Sequence, residues 1–127
     1  MKPDARTIRG VIVDDEAPAR ALLREYCEAH RDVEIVGECE NGFEAVRTIG
    51  EKTPDVVLLD VQMPKLDGFE VLELLEHPPV VVFVTAYDEY ALRAFEVHAV
   101  DYVLKPVGRE RLDKALAPFD GAFAYAF

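Results

Sequence analysis

Basic residues are in short supply. Lysine and arginine number 14 against 25 aspartates and glutamates, for a formal net charge of −11 and a pI of about 4.6. That balance argues against nucleic acid or an anionic lipid surface as a direct partner of this chain, because both require a basic footprint. Cysteine is scarce too. Cys27 and Cys39 make no CxxC pair and have no histidine ligand pattern nearby. A disulfide framework and a zinc site are thereby excluded, and buried free thiols in a reducing compartment are expected. No apolar run approaches membrane-spanning length, and the opening MKPDARTIRG lacks the apolar core of a signal peptide, so a cytoplasmic protein is expected. There is no internal repeat, and neither GxxxxGK nor GxGxxG occurs, which weakens any nucleotide-binding reading.

What is present is enough for one compact soluble domain: 127 residues, 50% hydrophobic and 31% charged. Apolar runs alternate with helical stretches five times. Ile8–Val13, Val33–Cys39, Asp55–Leu59, Val80–Val84 and Val100–Leu104 read as strands. Helices are expected over Ala17–His30, from Asn41-Gly42 to about Lys52, from Asp67-Gly68 through Leu75, over Glu89–Val97 and over Arg109–Ala117. In the first of these, Ala19, Leu22, Leu23, Tyr26 and Cys27 supply an apolar stripe, with Pro18 in the tolerant first turn. Phe69, Leu72 and Leu75 are the expected inner stripe of the third. The run Val56-Val57-Leu58-Leu59 does not alternate with polar residues, as befits a strand covered on both faces. Strands alternating with helices of this length imply right-handed crossovers and a doubly wound α/β fold, a five-stranded parallel sheet with helices on both faces.

The polar residues fall where the strands end. The first strand runs into Asp14-Asp15-Glu16, the third into Asp60, the fourth into Thr85 and the fifth into Lys105. In a parallel sheet these ends share one edge, and open α/β sheets bind ligands outside that edge. Taken singly, each residue has an ordinary reading: Asp14 or Asp15 as a helix cap, Asp60 in an Asx-turn, Thr85 as a strand end, Lys105 as a solvated lysine. Four of them at one edge argue for a site. Crowded carboxylates repel one another unless a cation sits among them, and an all-oxygen set favours a hard ion such as Mg²⁺. Asp60 is then a nucleophile toward phosphorus, with Lys105 neutralising and Thr85 donating to the transferring phosphoryl group.

With VIVDDE (11–16), DVVLLDVQMPKLDGFEVL (55–72), VVFVTAY (81–87) and DYVLKP (101–106) in this order, the sequence resembles the receiver domain of two-component response regulators over roughly residues 8–117. VDDEAPARALLREY and TAYDEYALRAFEVHAVDYVLKPV look like the subgroup whose receivers precede a LytTR-type DNA-binding domain. The resemblance implies the flavodoxin-like receiver fold, strand order 2-1-3-4-5. It also implies that Asp60 is the phosphoacceptor for a sensor histidine kinase. Asp15 and Asp14, with Asp60 and the backbone carbonyl of Gln62, would hold Mg²⁺. Thr85 would be the switch hydroxyl, Lys105 the phosphate-pairing lysine and Tyr102 the switch aromatic that turns inward, and Pro106 would follow a cis peptide. Gln62 and Tyr87 occupy positions that shield or admit the attacking water in this family. Such a chain is not an enzyme on a separate substrate; it promotes only its own phosphorylation and dephosphorylation.

The implied output face is residues 89–117, with mixed charges at Glu89, Arg93, Glu96, Asp101, Arg109, Glu110, Arg111, Asp113 and Lys114. A homodimer with reciprocal ion pairs and a plainly solvated surface both fit that pattern. Residues 118–127 read as a tail outside the receiver (1–117), a truncated linker or an added remnant. Phe123, Tyr125 and Phe127 recur there at period two. A haloacid-dehalogenase-like phosphatase would need a second Asp where Gln62 stands, and room for a cap domain. The remaining alternative is a receiver-like scaffold that binds a partner without phosphorylation; the complete Asp, Thr and Lys set argues against it.

Overall fold

The computed structural model describes residues 7–30 and 32–119. Five strands, β1 (Ile8–Val13), β2 (Val33–Cys39), β3 (Val56–Leu59), β4 (Val80–Thr85) and β5 (Asp101–Leu104), form one sheet in the order β2-β1-β3-β4-β5. Every pairing is parallel. Between them run α1 (Ala17–Ala29), α2 (Gly42–Lys52), α3 (Gly68–Leu74) and α4 (Ala91–Glu96), followed by α5 (Arg109–Leu116) and a 3₁₀ turn, Ala117–Phe119.

The unalternating apolar runs have the expected cause. Side chains along a strand point to opposite faces in turn. Val57 and Leu59 enter one core with Val11, Val13, Phe69 and Phe83, while Val56 and Leu58 enter another with Ile12, Val82, Val84, Leu112 and Leu116. All four β3 residues are buried, since a central strand in a doubly covered sheet has no solvent face. Short polar signals set where the helices start. Asn41 caps α2 by accepting from the Glu44 N–H, and Asp67 and Glu70 form a reciprocal capping box at α3.

Some boundaries and faces differ from the sequence reading. Helix α4 begins at Ala91 rather than Glu89 and buries only Ala94, because Asp88–Tyr90 form the turn that leads into it. Leu22 is exposed; α1 docks through Leu23 and Cys27, one turn apart. In α3 the buried pair is Phe69 and Val71, with Leu72 and Leu75 half-buried at the margin. Both cysteines are free and buried, and burial pushes the Cys27 thiol up to about 12. Phe119, within the expected tail, packs against the second core. The period-two aromatics Phe123, Tyr125 and Phe127 lie outside the described residues. Among the described residues, no helix is long and apolar enough to cross a membrane.

Candidate functional site

The carboxyl edge of β1, β3, β4 and β5 gathers Asp14, Asp15, Asp60, Thr85 and Lys105. Asp14 follows β1 directly and is buried; Asp15, the next residue, faces solvent. Asp60 follows β3, with only 6% of its surface exposed, and its N–H donates to the Val13 carbonyl at 3.0 Å, which fastens the two carboxylate-bearing ends together. Thr85 ends β4 and is fully buried; its carbonyl accepts from the Lys105 N–H at 2.8 Å. Residues drawn from four strands thus meet because parallel pairing aligns their ends.

Lys105 is the cationic centre of the group. Its ammonium lies 2.7 Å from Asp14 Oδ2, 3.2 Å from Asp60 Oδ2 and 3.5 Å from Glu16 Oε1. Burial disfavours that ammonium, but the hydrogen bond to Asp14 and the charges of Asp60 and Asp14 outweigh it and hold the lysine above its usual range. Asp60 is shifted the other way from a typical ion-paired carboxylate. Burial raises its pKa most; Lys105 pulls it down, and the neighbouring Asp14 pushes it up again.

One oxygen from each of Asp14, Asp15 and Asp60 lies within 4.8 Å of the others. Asp60 Oδ1 is buried and has no hydrogen-bond partner among the described residues, whereas Asp14 Oδ2 is already paired with the Lys105 ammonium. Buried acceptors are normally satisfied, so the free Asp60 oxygen marks a place for a cation. Three carboxylates with no nitrogen or sulfur donor suit a hard divalent ion.

The β3–α3 loop walls this site. Pro64 accepts from the Leu66 N–H at 2.8 Å, closing a three-residue turn that puts Lys65 at a φ of 73°. The Gly68 N–H then donates to the Val61 carbonyl at 2.8 Å. A Cβ on Gly68 would stand 2.5 Å from the Asp60 carbonyl oxygen, so only glycine lets the start of α3 come this close to the acceptor. Lys105 precedes Pro106 through a cis peptide bond. A cleft of about 620 Å³ opens over Asp60, bounded by Asp15, Gln62, Tyr87, Tyr90 and Lys105.

Two further expected site residues have side-chain partners outside the carboxylate group. Gln62 is exposed, and its Nε2 donates to the Tyr90 hydroxyl at 2.7 Å. Tyr102 packs its ring 6.2 Å from that of Phe83, and its hydroxyl donates to the Tyr87 carbonyl in the β4–α4 loop. The sequence reading missed Arg20, whose guanidinium donates to the Asp14 carbonyl at 2.8 Å. Its place in the first turn after the acidic run was the available signal. It also missed Tyr90, which no local pattern marks.

The model of the response regulator receiver domain matches residues 11–117. An uncharacterized response regulatory protein of Yersinia pestis is 54% identical over 111 residues, 86% of this chain and 47% of that protein. The transcriptional regulatory protein BtsR of Escherichia coli K12 is 50% identical over 112 residues, 87% of this chain and 47% of BtsR. The chain therefore spans about half the length of these relatives. Among solved structures, the response regulatory domain of mrkE from Klebsiella pneumoniae aligns with a TM-score of 0.82 at 32% identity, covering 93% of this chain and 99% of that one. The receiver domain of AraT from Geobacillus stearothermophilus gives 0.81 at 31% identity, with 94% and 98% covered. By sequence, fold and the acidic edge of its sheet, the chain belongs to the response regulator receiver domain family.

Proposed function

We propose that this chain is a phosphorylation-controlled switch of a two-component system, in which Asp60 takes a phosphoryl group from a sensor histidine kinase. The observation that carries the reading is the Asp60 carboxylate itself: buried at a strand end, one oxygen unpartnered, beside Asp14, Asp15 and Lys105. Asp14, Asp15, Asp60 and the Gln62 backbone carbonyl would hold Mg²⁺, which supplies charge neutralisation for the transferring phosphoryl group. A carboxylate oxygen of Asp60 forms the new bond to phosphorus. The bond from phosphorus to the donor's imidazole nitrogen breaks, and its electron pair returns to the ring. Lys105 pairs with the phosphoryl oxygens and Thr85 donates its hydroxyl proton to one of them.

The added charge and acceptor oxygens draw Thr85 toward Asp60. The β4–α4 loop follows, and Tyr102, bonded to the Tyr87 carbonyl in that loop, turns with it. The altered surface is the helix–strand–helix face 89–117, which we assign to a homodimer of the phosphorylated chain. Its support is apolar exposure: Leu92 and Phe95 are 71% and 77% exposed, and Val100 and Leu104 are exposed as well. That the relative BtsR is a transcriptional regulatory protein about twice the length matched here supports a transcriptional output. We assign the receiver to 1–117 and 118–127 to a linker toward a LytTR-type DNA-binding domain of a longer protein. The chain itself binds no nucleic acid, and the whole acts in the cytoplasm.

Incubation with acetyl phosphate, followed by intact-protein mass, tests the reading. A phosphoryl adduct that requires Mg²⁺ and is absent from Asp60→Asn is expected. No adduct under conditions that slow hydrolysis would favour a scaffold working without phosphorylation.

A further inference from the structure

Two loops flank the mouth of the cleft above Asp60, and one side-chain hydrogen bond joins them. Gln62, two residues past Asp60, belongs to the β3–α3 loop. Tyr90 stands at the start of α4, where it is the residue preceding the first helical turn. The Gln62 Nε2 to Tyr90 hydroxyl distance is 2.7 Å, and both residues line the cleft. Tyr90 is held firmly: its ring lies 6.3 Å from Phe69, tilted at 55°, and 6.3 Å from Tyr87, edge-on at 73°. Gln62 is otherwise an exposed side chain whose amide makes no other hydrogen bond among the described residues. An unbranched side chain of this kind keeps its rotamer freedom unless something fixes it.

We propose that Tyr90 is a positioning residue that sets the lifetime of the phosphoryl group on Asp60 by holding Gln62 across the mouth of the cleft. The proposal rests on the aspartyl-phosphate reading given above. Hydrolysis requires a water oxygen to bond to phosphorus while the bond from phosphorus to the Asp60 oxygen breaks; Asp60 leaves as a carboxylate, and the water proton passes to solvent or the released phosphate. A Gln62 amide tied to Tyr90 covers that approach and cannot turn to orient the water. Released from Tyr90, the amide uncovers that approach and is free to turn and orient the water. Because Tyr90 also begins α4, the bond couples phosphoryl lifetime to the position of that helix.

The test is the decay of the adduct, followed by intact mass after removal of acetyl phosphate, for the unsubstituted chain, Tyr90→Phe, Gln62→Ala and the double variant. Tyr90→Phe removes one hydroxyl and leaves the ring packing. It should hasten decay by about two- to tenfold, the factor that one neutral hydrogen bond commands. The same substitution should change nothing in the Gln62→Ala background. In metal-free, unphosphorylated protein, Tyr90→Phe should also shift the Gln62 side-chain amide signals in NMR. Decay at the unsubstituted rate, equal acceleration with and without Gln62, or unmoved amide signals would each overturn the proposal. Failure of the unsubstituted chain to form any adduct would instead overturn the phosphoacceptor reading, and this inference with it.

Discussion

The Asp60 carboxylate is buried, close to Asp14 and only partly compensated by Lys105. Its raised pKa has a thermodynamic consequence. A group whose pKa is higher in the folded state favours folding at acid pH, and that contribution is lost as pH rises through the folded-state value. Near neutrality, the ionised Asp60 therefore opposes folding in the absence of a cation. Asp60→Asn is expected to raise the melting temperature of the metal-free protein. Mg²⁺ should raise that of the unsubstituted chain and have little effect on the variant, by mass action on a site that exists only when folded. Differential scanning calorimetry with and without Mg²⁺ reads both. Gly68→Ala drives a methyl into the Asp60 carbonyl, and should cost about 1–3 kcal/mol while impairing adduct formation. Asp60 and Gly68 were legible in the sequence, since a charged residue closing an apolar strand and a glycine opening a helix are local signals. Tyr90 was not, because its partner Gln62 is 28 positions away and the two meet only through the fold.

At the scale of elements, α4 and β5 are the lightly anchored part of the sheet's edge. Helix α4 has six residues and a single buried one. Several charges expected to face a partner are already engaged within the chain. Arg111 forms a two-pronged pair with Asp101 at 2.9 and 2.7 Å, and the Arg93 guanidinium lies 4.2 Å over the Phe69 ring. Leu92 and Phe95, by contrast, are exposed and available for docking. Leu92→Glu with Phe95→Glu should abolish association of the phosphorylated chain in sedimentation velocity without impairing adduct formation. The Arg111 hydrogen bond holds the Asp101 carboxyl below its usual range, so its contribution is present above the ordinary carboxylate pKa, about 4, and fades as pH falls through the lowered value. The pair is partly exposed, so Asp101→Asn should cost only a few tenths to about 1 kcal/mol near neutral pH. That difference should vanish in acid, as urea unfolding at each pH will show. The start of α4 and the exposure of Leu22 escaped the sequence because apolar spacing marks a helix face but fixes neither where the helix begins nor which neighbour covers it.

For the molecule as a whole, the topology does the assembling. A five-stranded parallel sheet was readable from uninterrupted apolar runs separated by helical stretches, and parallel pairing then carries Asp14, Asp60, Thr85 and Lys105 to one edge from positions up to 91 apart. What periodicity could not supply was the loop geometry over that edge: the turn at Lys65, the close approach of Gly68 and the bond from Tyr102 to the Tyr87 carbonyl. In the function proposed, this edge directs a phosphoryl group to one carboxylate among several. The most direct measurement is borohydride reduction of the acetyl phosphate-treated chain, which converts an aspartyl phosphate to homoserine, followed by peptide mapping. A Mg²⁺-dependent conversion at position 60 alone is expected. Conversion at Asp14, Asp15 or Glu16, or at position 60 equally without Mg²⁺, would contradict it.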